Sequence, residues 1–186
     1  MGVASQFVTL ADYFKTESPQ GADDELIKGE VVISPAAKPN HALIAKRLMR
    51  LLDEAVDETK FEVNVDMSII VEPADPASMP RPDVFVMDRA RFHTAAAQDR
   101  YPEGSPELAI EVVSPGNSRK ELADKIDLYL AHGSLAVWIV YPQKRAVVLW
   151  EAGGKNSEFR MGDTIPLPAV LSRCGIQVSE VFSVIA

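Results

Sequence analysis

Apolar residues recur along the chain with two different periods, and each period marks a kind of element. After Asn40, a good N-cap, Leu43, Ile44, Leu48, Leu51, Leu52 and Val56 share one stripe of a helix, which predicts a helix over roughly His41 to Thr59. From Phe61 to Val71 apolar and polar residues alternate, as in a strand with one face buried. A Pro-rich crossing, EPADPASMPRP, leads to a short strand from Asp83 to Met87, and the polar stretch Asp88 to Ser105 reads as an excursion with a helical turn. Glu107 to Ser114 (ELAIEVVS) is too apolar for a solvent-facing strand and belongs in the centre of a sheet. Ser118 followed by Glu121 forms a capping-box pattern, Leu122, Ile126 and Tyr129 repeat at helical spacing, and Gly133 supplies a stop, which predicts a helix over Arg119 to His132.

Shorter signals complete the pattern. A short helix is expected from Leu10 to Glu17, closed by Ser18-Pro19-Gln20-Gly21, and a hairpin from Glu25 to Ser34 turning near Lys28-Gly29. Leu135 to Tyr141 and Arg145 to Glu151 read as strands joined by Pro142-Gln143-Lys144. A polar loop from Gly153, a strand near Thr164 to Leu167 and an amphipathic end, IQVSEVFSVI, follow. Strands in sequence with a crossover helix between them predict an α/β fold with α+β character: a mixed sheet flanked by helices. Without a repeat or a dividing linker, residues 1–186 are expected to form one domain.

Composition narrows the classes. A chain of 186 residues, 47% hydrophobic, is long enough to bury a core of its own, and its single cysteine, Cys174, rules out an intrachain disulfide scaffold. His41, His93 and His132 lie far apart and lack zinc-ligand spacing. No run approaches the roughly 18 apolar residues of a membrane span, and the amino terminus lacks a secretory pattern, so a cytoplasmic protein without a membrane partner is expected. The net charge of −8 repels nucleic acid on average, so any such contact has to be local. Lys46, Arg47 and Arg50, Arg89 and Arg91, Arg119 and Lys120, and Lys144 and Arg145 are basic clusters, each most simply a solvated face. Nucleophile elbows, phosphate-binding glycine runs and dinucleotide fingerprints are absent.

Two acids are out of place. Asp83 opens an apolar strand after Pro82, and Glu111 lies inside ELAIEVVS, although an unpaired buried charge costs several kcal/mol. On neighbouring strands the two carboxylates could hold one hard cation. A turn role for Asp83 and a buried salt bridge for Glu111 are the plainer alternatives. Lys125 stands at the margin of its helix's apolar face, where it is either functional or the partner of Glu121 at i, i+4. Glu30 and His41 are further candidates.

These residues carry a family pattern. RPDVFV at Arg81 to Val86, PELAIEVVSPGNSRKELADKIDLYLAHG at Pro106 to Gly133 and the following VWIVYP resemble the Uma family of restriction-type endonucleases, a branch of the PD-(D/E)XK nuclease superfamily. GEVVISPAAKPNHALIAKRLMRLL and PLPAVLSRCGIQVSEVF resemble the family's earlier and closing segments. The resemblance implies a restriction-endonuclease-like core and hydrolysis of phosphodiesters in nucleic acid, with DNA the expected substrate. It implies magnesium or manganese held by Asp83, Glu111 and the carbonyl of Val112, catalysis by Asp83, Glu111 and Lys125, an outer-shell role for Glu30 and a phosphate contact from His41. A homodimer is expected from the same likeness. Val113 departs from the superfamily motif, which has its lysine there, and Lys125 on the following helix matches instead. Glu121 and Tyr141 replace acids common in the family. A catalytically inactive member serving as a binding or self-association module is the alternative, as is a domain whose buried acids are only structural.

Overall fold

The computed structural model describes residues 7–16, 22–35 and 37–185. The stop at Ser18–Gly21 and the first six residues lie outside the described residues. In chain order the helices are α1 (Leu10–Tyr13), α2 (Pro39–Ala55), α3 (Arg89–Ala97), α4 (Arg119–Ala131) and α5 (Val178–Val181). The strands are β1 (Ala22–Ile27), β2 (Glu30–Pro35), β3 (Phe61–Val65), β4 (Val84–Asp88), β5 (Leu108–Val112), β6 (Ala136–Tyr141), β7 (Ala146–Glu151), β8 (Asn156–Arg160), β9 (Thr164–Pro166) and β10 (Gly175–Gln177).

Six strands form one sheet in the order β3-β4-β5-β6-β7-β8, antiparallel throughout except for the parallel pair β5 and β6. Parallel neighbours need a crossover, and α4 supplies it. Alternation along each strand sorts the core into two layers. Val84, Val86, Leu108, Ile110, Trp138 and Val140 face Ile44, Leu48, Leu51 and Leu52 of α2, while Phe85, Met87, Ala109, Val137 and Ile139 face Ile126 and Tyr129 of α4. Each large side chain so buried contributes about 1.5–3 kcal/mol, which fixes both helices to the sheet. Hairpin β1-β2 is a separate two-stranded sheet; its tip is tied to the Pro-rich crossing by Gly29, whose amide donates to Ala77 at 2.8 Å and whose φ of 75° suits glycine.

Several expected boundaries move for identifiable reasons. β3 ends at Val65 rather than Val71, because Asp66 takes a φ of 52°; Ile69 and Val71 are still buried, so the alternation reported burial rather than pairing. Helix α2 starts at Pro39 with Lys38 as N-cap, one turn position before the expected Asn40. The polar excursion contains a nine-residue helix, α3, whose side chains are all at least partly exposed, which is why it left no apolar stripe. Polar Asn156–Arg160 forms the outer strand β8 instead of a loop, since an outermost strand can keep one face in water.

Candidate functional site

β4 and β5 are antiparallel with Val84 opposite Ile110, so one further step places Asp83 opposite Glu111 on the same face of the sheet. Their ends meet the first turn of α2 on one side and α4 on the other. Asp83 Oδ2 accepts the amide of Val112 at 2.6 Å and pairs with Nε2 of His41 at 3.1 Å. Glu111 is 5% exposed; its Oε1 accepts the Tyr129 hydroxyl at 3.0 Å and its Oε2 the Lys125 ammonium at 2.9 Å. The same ammonium reaches Glu25 Oε2 at 2.7 Å. A cavity of about 70 Å³ lies among Glu25, His41, Asp83, Glu111, Val112 and Lys125.

Local sequence explains why Lys125 points inward. Ser118 and Glu121 form a complete capping box, with the Glu121 carboxylate accepting from the Ser118 amide at 2.9 Å and the Ser118 hydroxyl from the Glu121 amide at 3.1 Å. Glu121 is thereby committed to the helix end, and Lys125 turns to the buried acids. Val113 packs on the α4 layer, so the strand offers no cation and the helix supplies it.

Acids crowd this cluster: Glu25 and Glu111 share the Lys125 ammonium, and Asp83 stands beside them on His41. Burial pushes the Glu111 carboxyl up to about 8; Lys125 opposes the shift, and Asp83 and Glu25 add to it. Burial works against the charged form of Lys125, but Glu111 and Glu25 outweigh it and hold the ammonium above the ordinary lysine value. His41 likewise loses from burial and gains more from Asp83, so its pKa rises. Its Nδ1 is buried without a hydrogen-bond partner.

The fold therefore brings together Asp83, Glu111, Val112, Lys125 and His41. Glu30 stands apart: it is exposed on β2 and lines a neighbouring groove with Glu25 and Lys125. The acid that contacts the cluster from the hairpin is Glu25, which the sequence reading missed. Glu25, Leu26 and Ile27 are all buried, so no alternation singles Glu25 out, and the acidic run before it resembles a solvated edge. The Tyr129 hydroxyl was missed because the residue also fills a core position. Of the basic clusters, Arg91 is spent on Glu107 at 2.8 and 2.9 Å, and Lys120 on Asp124 at 2.9 Å. Among the described residues no ready-made group of three or more acid, histidine or cysteine ligands is assembled.

The fold is thus a mixed sheet flanked by helices, with paired carboxylates at adjoining strand ends and a lysine beside them. The crystal structure of "a putative nuclease belonging to DUF820" from Anabaena variabilis has this fold: it is similar over 95% of this chain and 98% of its own, with a TM-score of 0.80 at 18% sequence identity. No curated protein matches the chain. The family described as "Putative restriction endonuclease", Uma2, matches residues 10–179, and the chain belongs to that family.

Proposed function

We propose that the protein is a divalent-metal-dependent nuclease that hydrolyses phosphodiester bonds of DNA at the Asp83, Glu111 and Lys125 cluster. The observation that carries this reading is the approach of Lys125 from α4 to within 2.9 Å of Glu111, beside Asp83, in a chain whose strand has valine at the usual lysine position. A solely structural salt bridge does not need a second acid, Glu25, on the same ammonium, nor Asp83 beside them.

The donor set fits a hard cation. Asp83 and Glu111 offer carboxylate oxygens at a small cavity, and the Val112 carbonyl lies on the same strand edge as its amide, which already points to Asp83. Magnesium and manganese need only one or two protein carboxylates, the rest of their shell being water and substrate, so a larger cage is not required. When bound, such an ion makes a water more acidic and polarises the phosphate. The remaining work falls to the chain's own groups. The Lys125 ammonium is positioned to offset charge that develops on the phosphate oxygens or to orient the attacking water. His41, anchored through Nε2 to Asp83, holds that carboxylate's orientation and contacts the phosphate. Glu25 keeps Lys125 protonated and in place, and it, rather than Glu30, is the hairpin acid that touches the ammonium.

A homodimer belongs to the reading, since β8 presents an outer sheet edge that a second copy can approach. No helix among the described residues is long and apolar enough to cross a membrane. The test is cleavage of supercoiled plasmid with manganese by wild type, Asp83→Asn and Lys125→Ala purified identically. Cleavage by wild type that falls at least about 100-fold in both variants is expected, the size typical of lost charge stabilisation. Equal cleavage by all three, or none by wild type, overturns the proposal.

A further inference from the structure

A second cavity adjoins the carboxylate cluster. It measures about 440 Å³, within the range of small-molecule sites, and runs from the first turn of α2 past the carboxyl ends of the parallel strands β5 and β6. His41 and Ser114 border both cavities, so the two adjoin.

The walls of this groove differ from those of the cluster. Val113, Pro115 and the ring of Tyr141 make an apolar, partly aromatic surface, and Lys38 and Lys144 stand at its rim. The Lys144 ammonium lies 5.1 Å from the centroid of the Tyr141 ring. Neither Lys38 nor Lys144 forms an ion pair among the described residues, whereas Lys28, Lys60, Lys120 and Lys125 all do. In a chain with a net charge of −8, these two cations beside apolar lining residues give the groove a locally basic rim.

Resting on the nuclease reading above, we propose that this groove seats one unpaired nucleotide next to the scissile phosphate, its base on Tyr141 and its phosphates between Lys38 and Lys144. An aromatic ring with two lysines at the groove, Lys144 beside the ring and Lys38 among the lining residues, matches a nucleotide's own division into a flat apolar base and an anionic backbone. His41, which borders both cavities, leaves the neighbouring phosphate on the side of Asp83 and Glu111. In a duplex both faces of a base are covered by its neighbours, so a ring that stacks on a base requires a single strand or a locally unpaired one. The substrate class assigned is therefore single-stranded or locally opened nucleic acid.

The experiment uses the full chain with divalent metal chelated, so that nothing is cut, and follows fluorescence anisotropy of a labelled oligothymidylate of roughly 8 nucleotides, a length typical of single-strand sites. The same label on a blunt duplex is measured in parallel. Wild type should hold the single strand more tightly than the duplex. Tyr141→Ala should weaken single-strand binding about tenfold and leave the duplex unchanged, and Tyr141→Phe should keep wild-type affinity, since stacking needs the ring and not the hydroxyl. Lys144→Gln, a surface change that leaves the core intact, should weaken the single strand a few-fold. Equal affinity of wild type for the two forms, undetectable binding, or indifference to both Tyr141→Ala and Lys144→Gln overturns the proposal. Plasmid cleavage separates this from the nuclease reading. A wild type that binds as expected but never cuts removes the nuclease and keeps the nucleotide groove, while cutting with binding indifferent to Tyr141 and Lys144 removes the groove alone.

Discussion

Lys125 compensates two buried carboxylates at once, being 2.7 Å from Glu25 and 2.9 Å from Glu111 with its side chain 12% exposed. Removing the ammonium leaves like charges in a poorly solvated site wherever both carboxylates are ionised, so Lys125→Met should destabilise the protein by about 3–5 kcal/mol in alkaline solution. Because burial already raises the Glu111 carboxyl to about 8, and loss of Lys125 raises it further, a proton replaces part of the lost cation as pH falls through that region, and the penalty should be smaller at neutral pH than in alkali. Urea unfolding of the variant across pH checks this, and adding Glu111→Gln to Lys125→Met should recover part of the loss. A single variant that unfolds at the wild-type midpoint would mean the ammonium carries no such burden. The legibility of these residues differs for physical reasons. An acid inside an apolar strand, as Glu111 is, contradicts its surroundings and can be picked out from sequence, and a lysine beside an apolar stripe is nearly as conspicuous. Glu25 contradicts nothing nearby, since only the packing of the hairpin against α4 buries it.

At the scale of elements, the hairpin and α4 are joined by a second, more exposed set of charges. Asp124 accepts from Lys28 of the hairpin turn at 2.8 Å and from Lys120 at 2.9 Å. The hydrogen bonds from Lys28 and then Lys120 hold the Asp124 carboxyl below its ordinary value of 3.8. A carboxyl depressed in the folded chain binds its proton less readily there than in the unfolded chain. Its contribution is therefore present above the ordinary aspartate range and is lost as pH falls through the depressed value. With solvent close by, the size is about 0–1 kcal/mol. Asp124→Asn should accordingly be less stable than wild type at pH 7, and the gap should close in strong acid, read as the difference between two denaturation curves at each pH. Element boundaries show the same dependence on surroundings. The period of β5 and the caps of α4 are written locally and could be read. β3 stops where Asp66 turns, and β8 pairs through its backbone with side chains that look like a loop, so neither boundary is visible until the neighbours are in place.

For the whole molecule the issue is how an acidic chain meets a polyanion. With 19 basic residues against 27 acidic ones, long-range attraction is missing, and affinity has to come from contacts at the groove. If Lys38 and Lys144 are the principal phosphate partners, the logarithm of the single-strand binding constant should fall against the logarithm of salt concentration with a slope of about −1.4, two phosphates at about −0.7 each. Anisotropy titrations over a range of sodium chloride measure it directly, and a much steeper slope would mean that a broader basic surface takes part.

The carboxylate cluster draws its members from three separately built pieces: Glu25 from a hairpin, Asp83 and Glu111 from the main sheet, and Lys125 from the crossover helix. Such an arrangement is a coincidence detector written in charge. A chain still emerging from synthesis, or one whose helix has come away, holds its acids without their cation, and the acids then repel rather than converge. On the nuclease reading, cutting competence is in this way tied to completed folding, and a half-made copy is harmless.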